Sequence, residues 1–290
     1  MTDWPYPFWI AHRGAGRLAP ENTLAAFRLG ASNGYRMAEC DVKLSADGLP
    51  FLLHDSTLER TTSGAGMAGD LAWGALSQLD AGSWHSRAFA GEPIPTLENL
   101  ARWCLANKHL IDIEIKPTPG LEEKTGQVVA ETAARLWQGA AVPPLLTSFR
   151  PESLLSALQA APSLPRGLLL DTLWDGCFGY AEQLKCAAIV CNHALWDAAL
   201  VAKVHAMGMR ALSYTVNDEW AAERLIALGT DGIITDRVDL FSPASAVNCA
   251  ATAAPASSRL PAPARRRSAC GRRARSAPGR PAAPPRRLRN

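Results

Sequence analysis

A parallel α/β fold, and within that class an eight-fold (β/α)8 TIM barrel, is what this sequence predicts. Three observations carry the prediction. Short apolar runs alternate with helical patterns from Phe8 to Phe241. Several of those runs are hydrophobic without interruption, such as Phe51–Leu53 and Leu168–Leu170, as strands covered on both faces require. The chain has 290 residues, 48% hydrophobic and 20% charged, enough for one large domain and too apolar for a disordered or collagen-like one. An eight-fold barrel suits about 230 residues of alternation better than an open sheet.

In order, the expected strands are Phe8–Ala11, Met37–Lys43, Leu49–Leu53, Leu110–Ile115, Leu145–Phe149, Gly167–Leu170, Ala187–Cys191, Met209–Thr215 and Gly232–Thr235. The expected helices are Asn22–Ser32, Thr96–Lys108, Glu122–Trp137, Pro151–Ala160, Leu195–Met207 and Glu219–Leu228. Thr96 suits an N-cap, Pro151 a first helical turn, and Gly208 and Gly229 helix C-termini. Nine strands exceed eight, and Asp47-Gly48, a strong hairpin signal, explains the surplus. One arm of that hairpin is then antiparallel rather than a barrel strand. A two-residue turn there sets Asp41 opposite His54.

Thr57–Pro95 is irregular and contains Gly64-Ala-Gly-Met-Ala-Gly69, formally a dinucleotide fingerprint. That reading needs a strand before it and a helix after it; a mobile loop near the site mouth fits better. The domain division expected is a barrel over 1–241 and a tail over 242–290. The tail is Ala, Pro, Ser and Arg, too poor in bulky apolar residues to offset its ordering entropy, so disorder is expected.

The net charge of +3 conceals a division. The tail holds eleven arginines and no Asp, Glu or Lys, which leaves residues 1–241 with 19 of the 30 bases against all 27 acids, a charge of −8. An acidic body excludes an extensive nucleic-acid surface and leaves only non-specific nucleic-acid binding through the tail. The seven cysteines form no CxxC and no metal-finger spacing, which reads as reduced thiols in the cytoplasm. Met1–Pro7 has Asp3 in place of a basic stretch, and no apolar run of 18 or more follows. Neither a signal peptide nor a membrane span is expected.

The early strands end in chemistry: His12-Arg13-Gly14, Glu39-Cys40-Asp41, His54-Asp55 and Glu114-Ile115-Lys116. In a barrel these ends converge on one face, and alternation aims Glu39 with Asp41, and Glu114 with Lys116, to one side. Buried charges cost several kcal/mol unless they are paired or bind a metal. Glu39, Asp41 and Glu114 make a hard oxygen site suited to Mg²⁺ or Ca²⁺. Arg13 and Lys116 offer charge to an anionic, phosphate-bearing substrate. His12 and His54 titrate near neutrality and suit acid–base work. Together they point to phosphodiester cleavage. Asp55 is placed to orient a neighbouring histidine, whereas Glu21 caps the first helix or touches the site. Trp84, Phe149 and Tyr214 line a pocket or anchor loops. Cys40, aimed away from its neighbours, reads as a buried filler, and His85, His109, His193 and His205 as surface or core residues.

These residues lie in motifs that resemble one family. AHRG (Ala11–Gly14), PENT (Pro20–Thr23), ECDVKLSADGLPFLLHD (Glu39–Asp55), LERTT (Leu58–Thr62), PTLENL (Pro95–Leu100), EIK (Glu114–Lys116) and DGIITD (Asp231–Asp236) resemble the glycerophosphodiester phosphodiesterase family, in order along the chain. The resemblance implies a phospholipase-C-like barrel and metal-dependent hydrolysis of glycerophosphodiesters, such as glycerophosphocholine or glycerophosphoethanolamine, to sn-glycerol 3-phosphate and an alcohol. It implies His12 and His54 as the acid–base pair, Glu39, Asp41 and Glu114 as ligands of one divalent cation, and Arg13 and Lys116 as phosphate contacts. In the related mechanism a glycerol hydroxyl attacks phosphorus and gives a cyclic phosphate that water then opens. Where family members often have Trp before Thr-Val-Asn, this chain has Tyr214. Rival readings are a phospholipase-D-like lyase that acts on lysophospholipids and stops at a cyclic phosphate, nucleic-acid binding through the Arg-rich tail, and a catalytically dead barrel.

Overall fold

The computed structural model describes residues 4–241 and Pro243. The predicted tail lies outside the described residues apart from Pro243, as do Met1 to Asp3 of the predicted leaderless N-terminus.

Nine strands form one sheet: β1 (Trp9–Ala11), β2 (Met37–Leu44), β3 (Pro50–Leu52), β4 (Leu110–Ile115), β5 (Leu145–Ser148), β6 (Arg166–Leu170), β7 (Ala188–Asn192), β8 (Arg210–Tyr214) and β9 (Gly232–Thr235). Eight of them pair in parallel around a closed circuit, which β1 completes by pairing with β9 on one side (Ala11 with Thr235) and β2 on the other (Ala11 with Ala38). β3 is the ninth, an antiparallel arm on β2. The (β/α)8 barrel with a hairpin excursion is therefore the fold.

The helices are α1 (Leu24–Ser32), α2 (Trp73–Leu76), α3 (Leu97–Asn107), α4 (Glu122–Leu136), α5 (Pro151–Ala160), α6 (Cys177–Gln183), α7 (Ala198–Ala206) and α8 (Glu219–Leu228). Alternation sorts each strand between two cores. Inward residues such as Ile10, Met37, Leu145, Leu169, Leu212 and Ile234 fill the barrel, and Tyr6 packs with them. Outward residues such as Ala38, Cys40, Val42, Ile111 and Ile113 pack with the helices. The described cysteines are free and buried.

Local chemistry accounts for the boundaries. Thr96 caps α3 in a reciprocal box with Asn99. Pro151 opens α5, where no amide hydrogen is needed. α1 starts at Leu24 rather than Asn22 because Thr23 is the cap, and Asn22 sits at φ +59° with its side chain turned to Asp41. α7 starts at Ala198 rather than Leu195 because Asp197 accepts from the Leu200 amide. α6 is not among the expected helices: it is seven residues long, interrupted by Gly179, and leaves too weak an apolar stripe to read.

Two further expectations are corrected. The hairpin register is Val42 with Leu52 and Lys43 with Phe51, one residue from that expected, so the Leu53 amide bonds the Asp41 carbonyl and His54 lies beyond it. The turn holds three residues, not two: Ser45 pairs with Leu49, and Ala46–Gly48 closes it with Gly48 at φ +82°. The segment 57–95, expected as a mobile loop, packs on a core of its own that includes Phe51, Leu58, Ala68, Leu76 and Ile94. Its glycine motif follows no strand and runs into a 3-10 turn at Ala68–Asp70, so it has none of the context a dinucleotide site needs.

Candidate active site

Parallel strands carry their C-terminal ends to one rim, and there six of the seven predicted residues meet, with His54 brought to them by the chain leaving the antiparallel arm β3. Six of the seven, all but Asp41, line a single cavity of about 220 Å³. Asp41 is buried beside it, 1% exposed, and paired to two of the lining residues.

β2 supplies Glu39 and Asp41, and β4 supplies Glu114. Each offers an oxygen, and the three oxygens lie within 4.8 Å of one another. Two cations offset part of their charge. Lys116 Nζ donates to Glu114 Oε1 at 2.8 Å and lies 3.3 Å from Asp41 Oδ1. Arg13 Nε lies 3.3 Å from Asp41 Oδ2, and its Nη1 donates to Glu21 Oε1 at 2.8 Å. Asn22 clasps Asp41 twice, donating to Oδ2 at 2.8 Å and accepting its backbone amide at 3.1 Å. Arg13 and Asn22 both occupy the left-handed region, at φ +50° and +59°, a conformation that costs side-chain-bearing residues energy and is retained where geometry is at stake.

Burial would raise all three carboxyls, and their neighbours separate them. Asp41 ends well below the usual range because Lys116, Arg13 and His54 outweigh its burial. Burial and the Asp41 charge push Glu114 up to about 7. Glu39 is raised well above its ordinary value by burial and both neighbouring carboxylates. Glu39 Oε1 has no hydrogen-bond partner, and Asp41 Oδ1 has the Lys116 charge but no hydrogen bond. Buried, unpaired carboxylate oxygens are costly, and this donor set of hard oxygens is the one a divalent cation satisfies.

Two histidines flank the carboxylates. His12 Nδ1 lies 2.6 Å from Asp236 Oδ1, and its Nε2 lies 3.9 Å from Glu39 Oε2. Asp236 is held in turn by Asn217, which donates to Oδ2 and accepts the Asp236 amide, both at 2.9 Å. Burial would raise Asp236, but the His12 and Asn217 hydrogen bonds bring it below its ordinary value. Gly16, at φ +55°, lets the β1 loop lie against this residue, since a Cβ there would overlap the Asp236 backbone. His54 Nδ1 lies 2.6 Å from Asp55 Oδ1, and Arg60 grips both Asp55 oxygens and both Glu21 oxygens. Burial lowers the His54 pKa despite the Asp41 charge.

The cavity is walled by Phe149 and Tyr214, packed edge to face at 5.6 Å. Its floor includes Asp112, fully buried, which accepts from Thr147 at 2.8 Å while Oδ2 has no partner. Sequence reasoning does not single out Asp236, Asn22, Asn217 or Arg60. Asn22, Arg60 and Asp236 stand inside PENT, LERTT and DGIITD, which mark a family without stating what each residue touches. Glu21 is resolved in favour of the site, since Thr23 caps the helix. Asp55 orients His54, as expected. Cys40 is buried and points away, and His109 is buried against the Tyr35 carbonyl. Trp84 donates to the Ala81 carbonyl.

Residues 12–240 match the glycerophosphoryl diester phosphodiesterase family. The chain belongs to that family. It is 34% identical over 233 residues to the glycerophosphodiester phosphodiesterase of Caldanaerobacter subterraneus subsp. tengcongensis, with 78% of this chain and 93% of that one covered. It is 30% identical over 249 residues to the Bacillus subtilis glycerophosphodiester phosphodiesterase, covering 80% and 84%. Among solved structures, an Oleispira antarctica phosphodiesterase in complex with its product sn-glycerol-3-phosphate superposes with a TM-score of 0.76 at 32% identity, covering 85% of this chain and 98% of that one. Membership makes this glycerophosphodiester phosphodiesterase family chain an enzyme, a phosphodiester hydrolase. No helix among the described residues is long and apolar enough to cross a membrane.

Proposed function

We propose that the protein hydrolyses glycerophosphodiesters to sn-glycerol 3-phosphate and an alcohol, with His12 and His54 as acid–base pair and one divalent cation, Mg²⁺ or Ca²⁺, held by Glu39, Asp41 and Glu114. The observation that carries this reading is the gathering of three buried carboxylates with an unpaired oxygen, two cations and two carboxylate-held imidazoles around one small cavity.

When bound, the cation supplies Lewis-acid stabilisation of charge on the phosphoryl oxygens. The protein's own groups do the rest. Arg13 and Lys116 hold the phosphodiester oxygens, each through charge that Asp41 keeps in place. Asp236 and Asp55 accept the Nδ1–H of their histidines, which fixes the tautomer and turns each Nε2 to the reacting atoms. One imidazole takes the proton of the attacking hydroxyl, the neighbouring hydroxyl of the glycerol, as its oxygen bonds to phosphorus. The other gives a proton to the alcohol oxygen as its bond to phosphorus breaks. Water then opens the cyclic phosphate with the two roles exchanged. Tyr214, smaller than Trp and with an unpartnered hydroxyl, changes the packing at the cavity wall and leaves these groups untouched.

The test is release of glycerol 3-phosphate from glycerophosphocholine and glycerophosphoethanolamine with EDTA, then with Mg²⁺ or Ca²⁺ restored. Release should stop with EDTA and return with the ion. Full activity in EDTA overturns the metal reading, and an accumulating cyclic phosphate seen by ³¹P NMR selects the lyase. We further propose a cytoplasmic enzyme whose catalytic unit is residues 1–241 and whose partner is the small-molecule substrate. A 1–241 protein should retain full turnover, and nucleic-acid binding, where it occurs, should be lost with residues 242–290 and weaken steeply with salt.

A further inference from the structure

Three cavities meet at the reacting groups. The small central one contains His12 and His54. A groove of about 410 Å³ opens from it on the His12 side and includes Arg17, Glu21, Arg60 and Trp84. A wider groove of about 580 Å³ opens on the His54 side and shares His54, Glu114, Lys116 and Phe149 with the central cavity. A diester needs room for two halves, so one groove takes the half that the central cavity does not.

The charges of the His12-side groove are already paired, Arg17 the most loosely, at 4.0 Å from Asp236 Oδ2. Arg13 and Arg60 both hold Glu21, Asp236 holds His12, and the Trp84 indole is used on a backbone carbonyl. The His54-side groove differs. Lys43, on its floor, is 1% exposed, yet its ammonium makes one hydrogen bond, to the Lys116 carbonyl at 3.2 Å. An ammonium has three donors, and the remaining two have no acceptor among the described residues. Arg150, at the rim, is exposed, and its guanidinium makes no hydrogen bond or ion pair among the described residues. Pro117, Pro119 and Phe149 supply the apolar walls between them. The acids in this groove are committed: Asp55 to Arg60 and His54, and Glu114 to Lys116.

We propose that this groove is the subsite for the departing alcohol, and that Lys43 and Arg150 recognise alcohols carrying an anionic group such as a carboxylate. The proposal rests on the hydrolytic reading above and adds the substrate class to it. The central cavity suits the glycerol half: it is small and ends on the buried, unpartnered Asp112 Oδ2 and Tyr214 hydroxyl, which match hydroxyl groups. The groove beside His54 then holds the alcohol next to an imidazole that can protonate its oxygen. Quaternary ammonium head groups lack a carboxylate for the two cations and meet like charge at the rim.

Glycerophosphoserine and glycerophosphoethanolamine differ by one carboxylate, so the ratio of their kcat/KM values isolates its recognition. Arg150→Glu should lower the serine-to-ethanolamine ratio about tenfold, as expected when a partly exposed attraction becomes a repulsion. Lys43→Met, which fills the buried slot up to the position of the missing ammonium, should lower the same ratio, and Arg150→Lys should retain most of it. General damage to the fold or to the chemistry slows both substrates and leaves the ratio alone. A ratio within about twofold of wild type in both Arg150→Glu and Lys43→Met, with hydrolysis continuing, overturns the subsite. Hydrolysis of neither substrate by the wild-type enzyme overturns the functional reading itself, and the subsite with it.

Discussion

The two histidines have the same geometry and opposite origins. Each places Nδ1 at 2.6 Å from an aspartate. His54 takes its partner from the next residue, and Arg60, six positions on, holds that aspartate in place. His12 takes its partner from beyond β9, 224 residues away, and depends on barrel closure and Asn217 to have it at all. A local pair tolerates strain elsewhere because the chain itself keeps it together. A remote pair is as good as the fold that delivers it.

The largest effect expected from breaking either pair is loss of the ring. His12→Ala and His54→Ala should each lower turnover by roughly 10²–10⁴, read as glycerol 3-phosphate release under saturating ion. A loss of under about tenfold in one of them would strike that residue from the acid–base pair.

Next come the aspartates, which separate the two designs. Asp236→Asn should cost on the order of 10²-fold, because it removes the charge and turns one of the two oxygens that hold His12 and Asn217 into a donor. Asp55→Asn should cost about tenfold, since Asp55 is more exposed, 27% against 19%, and screening weakens its hold on the ring. Equal losses would show that remote and local delivery are equivalent.

The smallest effect lies in the pH profile. The Asp55 hydrogen bond favours the charged imidazole, opposing the burial that lowers the His54 pKa. Removing that carboxylate removes a raising influence, so in Asp55→Asn the limb of the kcat/KM profile that titrates His54 should move to lower pH. A shift upward would mean that desolvation, not the hydrogen bond, changed most.

The same contrast between local and remote pairing decides how much of the molecule is legible in its sequence. Strand ends, alternation and the choice of a barrel follow from local composition, and they bring His12, Arg13, Glu39, Asp41, His54, Glu114 and Lys116 to one rim. Asp55 is legible because its partner is adjacent. Asp236 is not: its motif is visible, but the pairing exists only once β9 lies against β1. Asn22 is hidden by its place before a helix, where its φ of +59° and its grip on Asp41 are tertiary facts. The expected hairpin register fails by one residue because Asp47-Gly48 fits both a two-residue turn and the end of a three-residue turn. The choice between them rests on Ser45, whose hydroxyl accepts the Leu49 amide.

Barrel closure by the last strand also has a consequence for synthesis. Trp9 stacks on Phe241 at 4.8 Å, and the Tyr35 hydroxyl donates to the Phe241 carbonyl, so the first and last parts of the barrel are tied just beyond Asp236. A nascent chain therefore has Glu39, Asp41, His54 and Glu114 already synthesised while His12 still lacks its aspartate. Until β9 is made, β1 lacks one of its two neighbours and His12 lacks its carboxylate, so the His12–Asp236 pair is the last part of the site to be assembled.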